Sequence, residues 1–263
     1  MPSEQSSQGQ SVWAVVPAAG SGSRFASGAG INRQGSKGPK QYASLVGKPI
    51  ILRTLEALAA TELISCAVVV LAANDSVFSE LSPPEGLPIE TALGGASRAT
   101  SVLAGLSHIA DRAGHNDWVL VHDAARPLIS KAIVQNMFKQ LREDKVGGIL
   151  AMPAHDTVKL AGQAAAKADN QQALTSVERT LERGRVWLAQ TPQMFRYGLL
   201  VEALQKAGAG AGDSVTDEAS AMEQAGHVVR LIPGDAQNIK ITTRADMQLA
   251  TALLQIQASS SVD

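Results

Sequence analysis

The chain has 263 residues, with 23 Lys and Arg against 24 Asp and Glu, a formal net charge of −1. That balance excludes a protein that coats nucleic acid or binds membrane surfaces through a basic excess, and 45% hydrophobic residues exclude disorder of the whole chain. A single cysteine, Cys66, leaves no internal disulfide and no Cys-rich zinc site, and places the chain in a reducing, cytoplasmic setting.

Residues 1–11 are polar and lack the basic and apolar blocks of a signal peptide, so they read as a frayed tail. An apolar β-branched run at 12–16 is the first expected strand. It leads into Pro17-Ala-Ala-Gly-Ser-Gly-Ser-Arg24, where glycines let backbone N–H groups approach an anion closely. This is neither a dinucleotide fingerprint, since Phe25 stands at the third glycine position, nor a P-loop, since no Gly-Lys-Ser/Thr follows. Residues 26–38 are a Gly- and Ser-rich loop without periodicity, and Lys40 follows in Gly38-Pro-Lys-Gln-Tyr42. Arg24 and Lys40 bracket a stretch free of acids. From residue 5 to 55 there are six basic residues and no Asp or Glu, so the acidic excess lies elsewhere and a local anion site is expected here.

A helix is expected over 50–60 and a strand over 67–71, with Cys66 buried at its start. The strand at 89–93 ends in Gly94-Gly-Ala-Ser-Arg-Ala-Thr-Ser101. Arg98 and Ser101 then lie on the first turns of a helix over 98–113, a place suited to an anion or a carbonyl. The strand at 118–121 runs into His122-Asp-Ala-Ala-Arg-Pro127. Asp123 there either caps the turn, binds a ribose hydroxyl or helps hold Mg²⁺, and His122 reads as structural. A helix over 132–143 and a strand over 148–152 follow. Residues 162–180 are polar and rich in Ala and Gln, either a linker or an excursion from the domain body.

Thr157, Lys159, Arg183 and Lys240 lie near the ends of later strand-like runs and, taken singly, read as surface residues. The chain continues with a strand over 186–191, helices over 199–206 and 216–224, and strands over 228–232 and 238–241. Asp217 and Glu218 read as acids complementing a helix N-terminus, and Thr243-Arg-Ala-Asp246 as a capping box opening the last helix. No apolar run approaches the ~20 residues of a membrane span, and the five His are too scattered for a metal cluster. Strand–helix alternation implies one α/β domain over 12–256, with a mostly parallel twisted sheet, helices on both faces and a tail at 257–263. Ligands then sit at the carboxyl ends of the strands.

These segments together resemble the 2-C-methyl-D-erythritol 4-phosphate cytidylyltransferase family. The resemblance runs through Val15-Val-Pro-Ala-Ala-Gly-Ser-Gly-Ser-Arg24, Pro39-Lys-Gln-Tyr42, Gly94-Gly with Arg98 and Ser101, and Val121-His-Asp-Ala-Ala-Arg-Pro127. It continues through Asp156-Thr157, Gln190-Thr-Pro-Gln-Met-Phe195, Thr216-Asp-Glu-Ala-Ser220 and Asn238-Ile-Lys240, and covers residues 12–252. It implies a Rossmann-like nucleotidyltransferase that converts CTP and methylerythritol phosphate into CDP-methylerythritol and pyrophosphate with Mg²⁺, in the non-mevalonate isoprenoid pathway. By the same resemblance Arg24 and Lys40 stabilise the transition state, assisted by Arg183 and Lys240. Pro17, Ala18, Ala19, Gly20, Ser21, Gly22, Arg24, Lys40, Gly95, Arg98, Ser101, Asp123 and Ala124 hold CTP. Asp123, Arg126, Thr157, Arg183 and Lys240 position the second substrate. Mg²⁺ is carried mainly by the CTP phosphates, with Asp123 the one side chain placed to touch it.

The family is a homodimer whose projecting arm enters the partner's site. That arm maps onto residues 155–185, so Thr157 and Arg183 are expected to act in trans, while Arg126, Arg183 and Lys240 should converge on one pocket. Two departures stand out: the segment between Arg24 and Lys40 is long, and Ala96 follows Gly94-Gly95 where an acid is frequent. The competing readings are a cytidylyltransferase for ribitol 5-phosphate or another polyol phosphate, and a non-catalytic nucleotide-binding module.

Overall fold

Seven strands, three of them short and buried along almost their whole length, assemble into a single sheet in the computed structural model, which describes residues 10–20, 39–162, 175–209 and 215–260. In chain order the main strands are β1 (Val12–Pro17), β4 (Cys66–Leu71), β5 (Ile89–Leu93), β6 (Trp118–Val121), β7 (Gly147–Pro153), β10 (Trp187–Arg196) and β11 (Arg230–Pro233). They lie in the order β11-β7-β10-β6-β1-β4-β5. All neighbours are parallel except β10, which runs antiparallel to both β6 and β7. Two small antiparallel pairs stand apart: β2 (Ser44–Leu45) with β3 (Lys48–Pro49), and β8 (Lys159–Ala161) with β9 (Val177–Thr180).

The period-two alternation of β1 divides the core. Ala14 and Val16 face α1 (Ile50–Ala59) and α3 (Lys131–Leu141), packing with Ile51, Leu55, Val134 and Met137. Trp13 and Val15 face the opposite layer, made of α2 (Arg98–His108), α4 (Tyr197–Ala209) and α5 (Glu218–Gln224), with Val102, Leu106, Leu200 and Met222. A strand buried on both sides has to be apolar at every position, which is why 12–16 shows no alternation in sequence. A third, smaller cluster joins Leu45, Ile50, Leu128 and Ile241 to Ala250 on α6 (Arg244–Ser260). It anchors the segment that carries Lys240.

Two expectations need correction. The helix expected to reach 113 ends at His108, because Ile109, Ala110 and Arg112 bond to carbonyls three residues back rather than four. Residues 238–241 form no strand. Asn238 spends its amide on the Thr191 carbonyl at 2.8 Å, and Ile241 N bonds Ala125 O at 2.9 Å, so the segment docks on the β6 loop instead of pairing in the sheet. The sheet is mostly parallel, as expected, with β10 running back between β6 and β7. The segment read as either a linker or an excursion has its described ends paired as the β8–β9 hairpin, with residues 163–174 outside the description. The Thr243 capping box is present: Asp246 N donates to Thr243 Oγ1 at 3.2 Å and Thr243 N to Asp246 Oδ2 at 2.7 Å. Cys66 is buried, and burial pushes its thiol up to about 11.

Candidate active site

The carboxyl ends of β1, β5 and β6 open into a cavity of about 350 Å³. Its walls are the backbone turn Pro17–Ala18–Ala19–Gly20, Lys40 with Gln41, the segment Gly95 to Arg98 with Ser101, Asp123 to Ala125, and Lys240 with Thr242. Of the expected nucleotide set, Ser21, Gly22 and Arg24 lie outside the described residues, and every other member lines this cavity.

Local geometry explains why these pieces meet. Gln41 is buried and donates through Nε2 to Ala18 O at 2.7 Å, which ties the short turn bearing Lys40 to the first strand's carboxyl end. Ser97 caps α2, accepting from Thr100 N at 3.1 Å, so that Arg98 opens the helix. Gly94 passes so close to the β1 turn that a Cβ there would sit 2.6 Å from Ala19 Cβ and 3.2 Å from Leu71 O. Only glycine permits that approach. Ala96 brings no polar side chain to the wall it lines.

Asp123 is the electrostatic centre. Lys240 Nζ lies 2.8 Å from Oδ2, Arg98 Nη2 3.3 Å from Oδ1 and Arg126 Nε 3.6 Å from Oδ2. Burial alone would raise its carboxyl, but the fields of Arg98, Lys240 and Arg126 outweigh it and hold the group ionised, far below the usual range. Its backbone N donates to Thr191 Oγ1 at 3.0 Å, inside the stretch of β10 where the register with β7 shifts. His122 is fully buried, with Nε2 3.0 Å from Arg126 O and Nδ1 3.1 Å from Thr191 Oγ1. Desolvation lowers its pKa to about 4, so the ring is neutral, donating through Nε2 and accepting at Nδ1.

Of the three cations expected to converge on one pocket, Lys240 alone is among the residues that line it. Arg126 sits behind Asp123 with Nη1 donating to Asn238 O at 2.6 Å. Arg183 does not join them in the same subunit. It lies at the foot of the hairpin, donating to His155 O at 2.8 Å, and neither it nor Thr157 lines the cavity.

The match to known proteins decides the family. The family described as IspD: 2-C-methyl-D-erythritol 4-phosphate cytidylyltransferase matches residues 12–256. A protein of that name from Dechloromonas aromatica is 46% identical over 92% of this chain and 97% of its own length. The chain belongs to this family. It is therefore a nucleotidyltransferase of isoprenoid precursor synthesis. The bifunctional enzyme IspD/IspF of Albidiferax ferrireducens is 44% identical over 94% of this chain, and the chain spans 54% of that protein's length. The crystal structure of the Francisella tularensis 2-C-methyl-D-erythritol 4-phosphate cytidylyltransferase superposes with a TM-score of 0.71 at 33% identity, covering 91% of this chain and 98% of that one.

Several site residues of this cytidylyltransferase escape a reading of the sequence. Gln41 and Thr191 lie inside quoted motifs, yet their hydrogen bonds to Ala18 and Asp123 link residues far apart in the chain. Glu218, read as a helix-dipole acid, is fully buried and bonds Arg98 Nη1 at 2.5 Å. A carboxylate immediately before the apolar Ala219, Ala221 and Met222 was the available signal.

Proposed function

We propose that this cavity transfers the cytidylyl group of CTP to 2-C-methyl-D-erythritol 4-phosphate by in-line attack of the substrate phosphate on the α-phosphorus, releasing pyrophosphate. The observation that carries the reading is the excess of cation over anion: two buried carboxylates, Asp123 and Glu218, are set against Arg98, Arg126 and Lys240, with Lys40 on the adjoining wall. A cavity so charged recruits and holds phosphates.

The attacking phosphate is already anionic, so no general base is required, and bringing two anions together is the main barrier. His122 fits this: both ring nitrogens are engaged by the protein, and it has no proton to trade with a ligand. Lys40, with Arg24, would neutralise charge developing at the α-phosphoryl oxygens. Gly95, Arg98, Ser101 and the backbone of Ala18 to Gly20 would hold the nucleotide, while Arg126 and Lys240 would orient the second phosphate.

The family generally uses a divalent cation. Among the described residues no group of three or more His, Cys, Asp or Glu is placed to hold one. Both Asp123 oxygens face cations of the chain, so the donor set fits Mg²⁺ brought by the triphosphate, with Asp123 the carboxylate that would share it. The ion's contribution would be neutralisation of phosphate charge.

The reading includes a homodimer in the cytoplasm. Thr157 and Arg183 stand on the side of an exposed hairpin, whose Val177 is 61% exposed, and they would complete a partner's site. The lone buried thiol suits a reducing compartment. Among the described residues no helix is long and apolar enough to cross a membrane.

The test is a substrate panel. Pyrophosphate release is measured with CTP, Mg²⁺ and either methylerythritol phosphate, ribitol 5-phosphate or neither. Release specific to methylerythritol phosphate is expected; preference for ribitol 5-phosphate would move the assignment to that polyol.

A further inference from the structure

Glu218 is fully buried, and among the described residues one of its oxygens, Oε1, has a hydrogen-bond partner. Oε1 lies 2.5 Å from Arg98 Nη1, a contact between residues 120 apart in the chain, while Oε2 accepts no hydrogen bond among the described residues. A buried carboxylate with one partner costs several kcal/mol unless that partner is a well-placed cation. The fold nevertheless holds it rigidly in place. Gln193 of β10 donates to Asp217 Oδ2 at 2.8 Å and accepts from Ala219 N at 2.9 Å, pinning the chain on both sides of Glu218.

The competing partner of Arg98 is Asp123. Its contacts to that carboxylate are long, 3.4 Å from Nε and 3.3 Å from Nη2, where a good charge-assisted bond is about 2.7–2.9 Å. Glu218 therefore wins the guanidinium. Without the Glu218 charge, Arg98 would close a bidentate pair on Asp123, the geometry a guanidinium prefers. That movement would draw Arg98 off the wall it shares with Gly95 and Ser101, and would compete with Lys240 for Asp123.

We propose that Glu218 is a positioning residue, holding Arg98 away from Asp123 and at the nucleotide wall of the cavity. The proposal rests on the reading of that cavity as the CTP site. Its signature is an effect on nucleotide binding that passes through Arg98.

The experiment compares the wild type, Glu218→Gln, Arg98→Met and the double variant by steady-state kinetics with CTP, Mg²⁺ and methylerythritol phosphate, alongside thermal unfolding. Glu218→Gln should raise KM for CTP roughly tenfold with a smaller change in kcat. In the Arg98→Met background the same change should leave KM where it is. An equal rise in both backgrounds, or a folded Gln variant with wild-type KM, overturns the proposal. If Glu218→Gln does not fold, Glu218→Asp keeps the charge but withdraws it by one methylene. It should raise KM by a smaller factor, roughly threefold, and a folded Asp variant with unchanged KM overturns the proposal equally. A wild type that releases no pyrophosphate from CTP would fail the reading of the cavity itself, a separate result.

Discussion

Lys40 enters the cavity from a short turn that Gln41 ties to Ala18, so its reach is set by the fold rather than by a free loop end. Lys40→Ala should lower kcat roughly 10²–10³-fold, by analogy with removing one preorganised donor to a developing charge. Single-turnover kinetics with CTP, Mg²⁺ and methylerythritol phosphate would show it, and near-normal turnover would remove Lys40 from the mechanism. His122 supplies a stability prediction. Burial holds its folded pKa at about 4, below the ordinary imidazole value of 6.5. Between those values the unfolded chain binds a proton that the folded chain refuses, so acid favours unfolding. The contribution is intact above pH 6.5 and is lost as pH falls toward 4. Between pH 7 and pH 5 it amounts to roughly 2 kcal/mol. Denaturant titrations of the wild type and His122→Asn at both pH values should show the variant losing less stability by about that amount. Identical pH slopes would contradict a neutral buried His122.

At the scale of elements, close approach governs the site more than side-chain reach. Gly94 joins β5 to α2 while touching the β1 turn, and an added Cβ would clash with Ala19 and the Leu71 carbonyl. Gly94→Ala should destabilise the fold by about 1–3 kcal/mol, as overpacking generally does, and should raise KM for CTP by displacing the turn. Denaturant midpoints and KM measured together would detect both effects; an unchanged midpoint would mean the strand ends are not held so tightly. Elements built from local rules were legible: β1 and β6 from continuous apolar runs, and the start of α6 from its capping box. The end of α2 was not, since apolar spacing persists through Ile109 while the backbone has already tightened to three-residue bonds. Residues 238–241 misled for a related reason. Their alternation matches a strand, yet the bonds that hold them go to Thr191 and Ala125.

Across the whole molecule, the position of Arg183 makes the arm a prediction about assembly. Arg183 bonds to His155 O and does not line its own subunit's cavity, so the proposed phosphate-binding role would need a second copy of the chain. Lys40→Ala and Arg183→Ala should each be poorly active alone. Mixed, unfolded and refolded together, they should recover up to about a quarter of wild-type activity, because a two-fold dimer of random composition holds that share of sites intact. No recovery, with dimers present by sedimentation, would place Arg183 in its own subunit's chemistry.

The amino-acid sequence by itself determined the strand–helix alternation, the glycine turns at strand ends, and the acid-free segment around Lys40, because each depends on neighbours within a few residues. It also carried the motifs that mark the family. Only the tertiary structure decided which charges meet. Asp123 gathers Arg98, Arg126 and Lys240, and Glu218 takes Arg98 across 120 positions of chain. Ion pairs leave no periodic trace in sequence, since they depend on where the sheet order and the returning strand β10 bring distant loops.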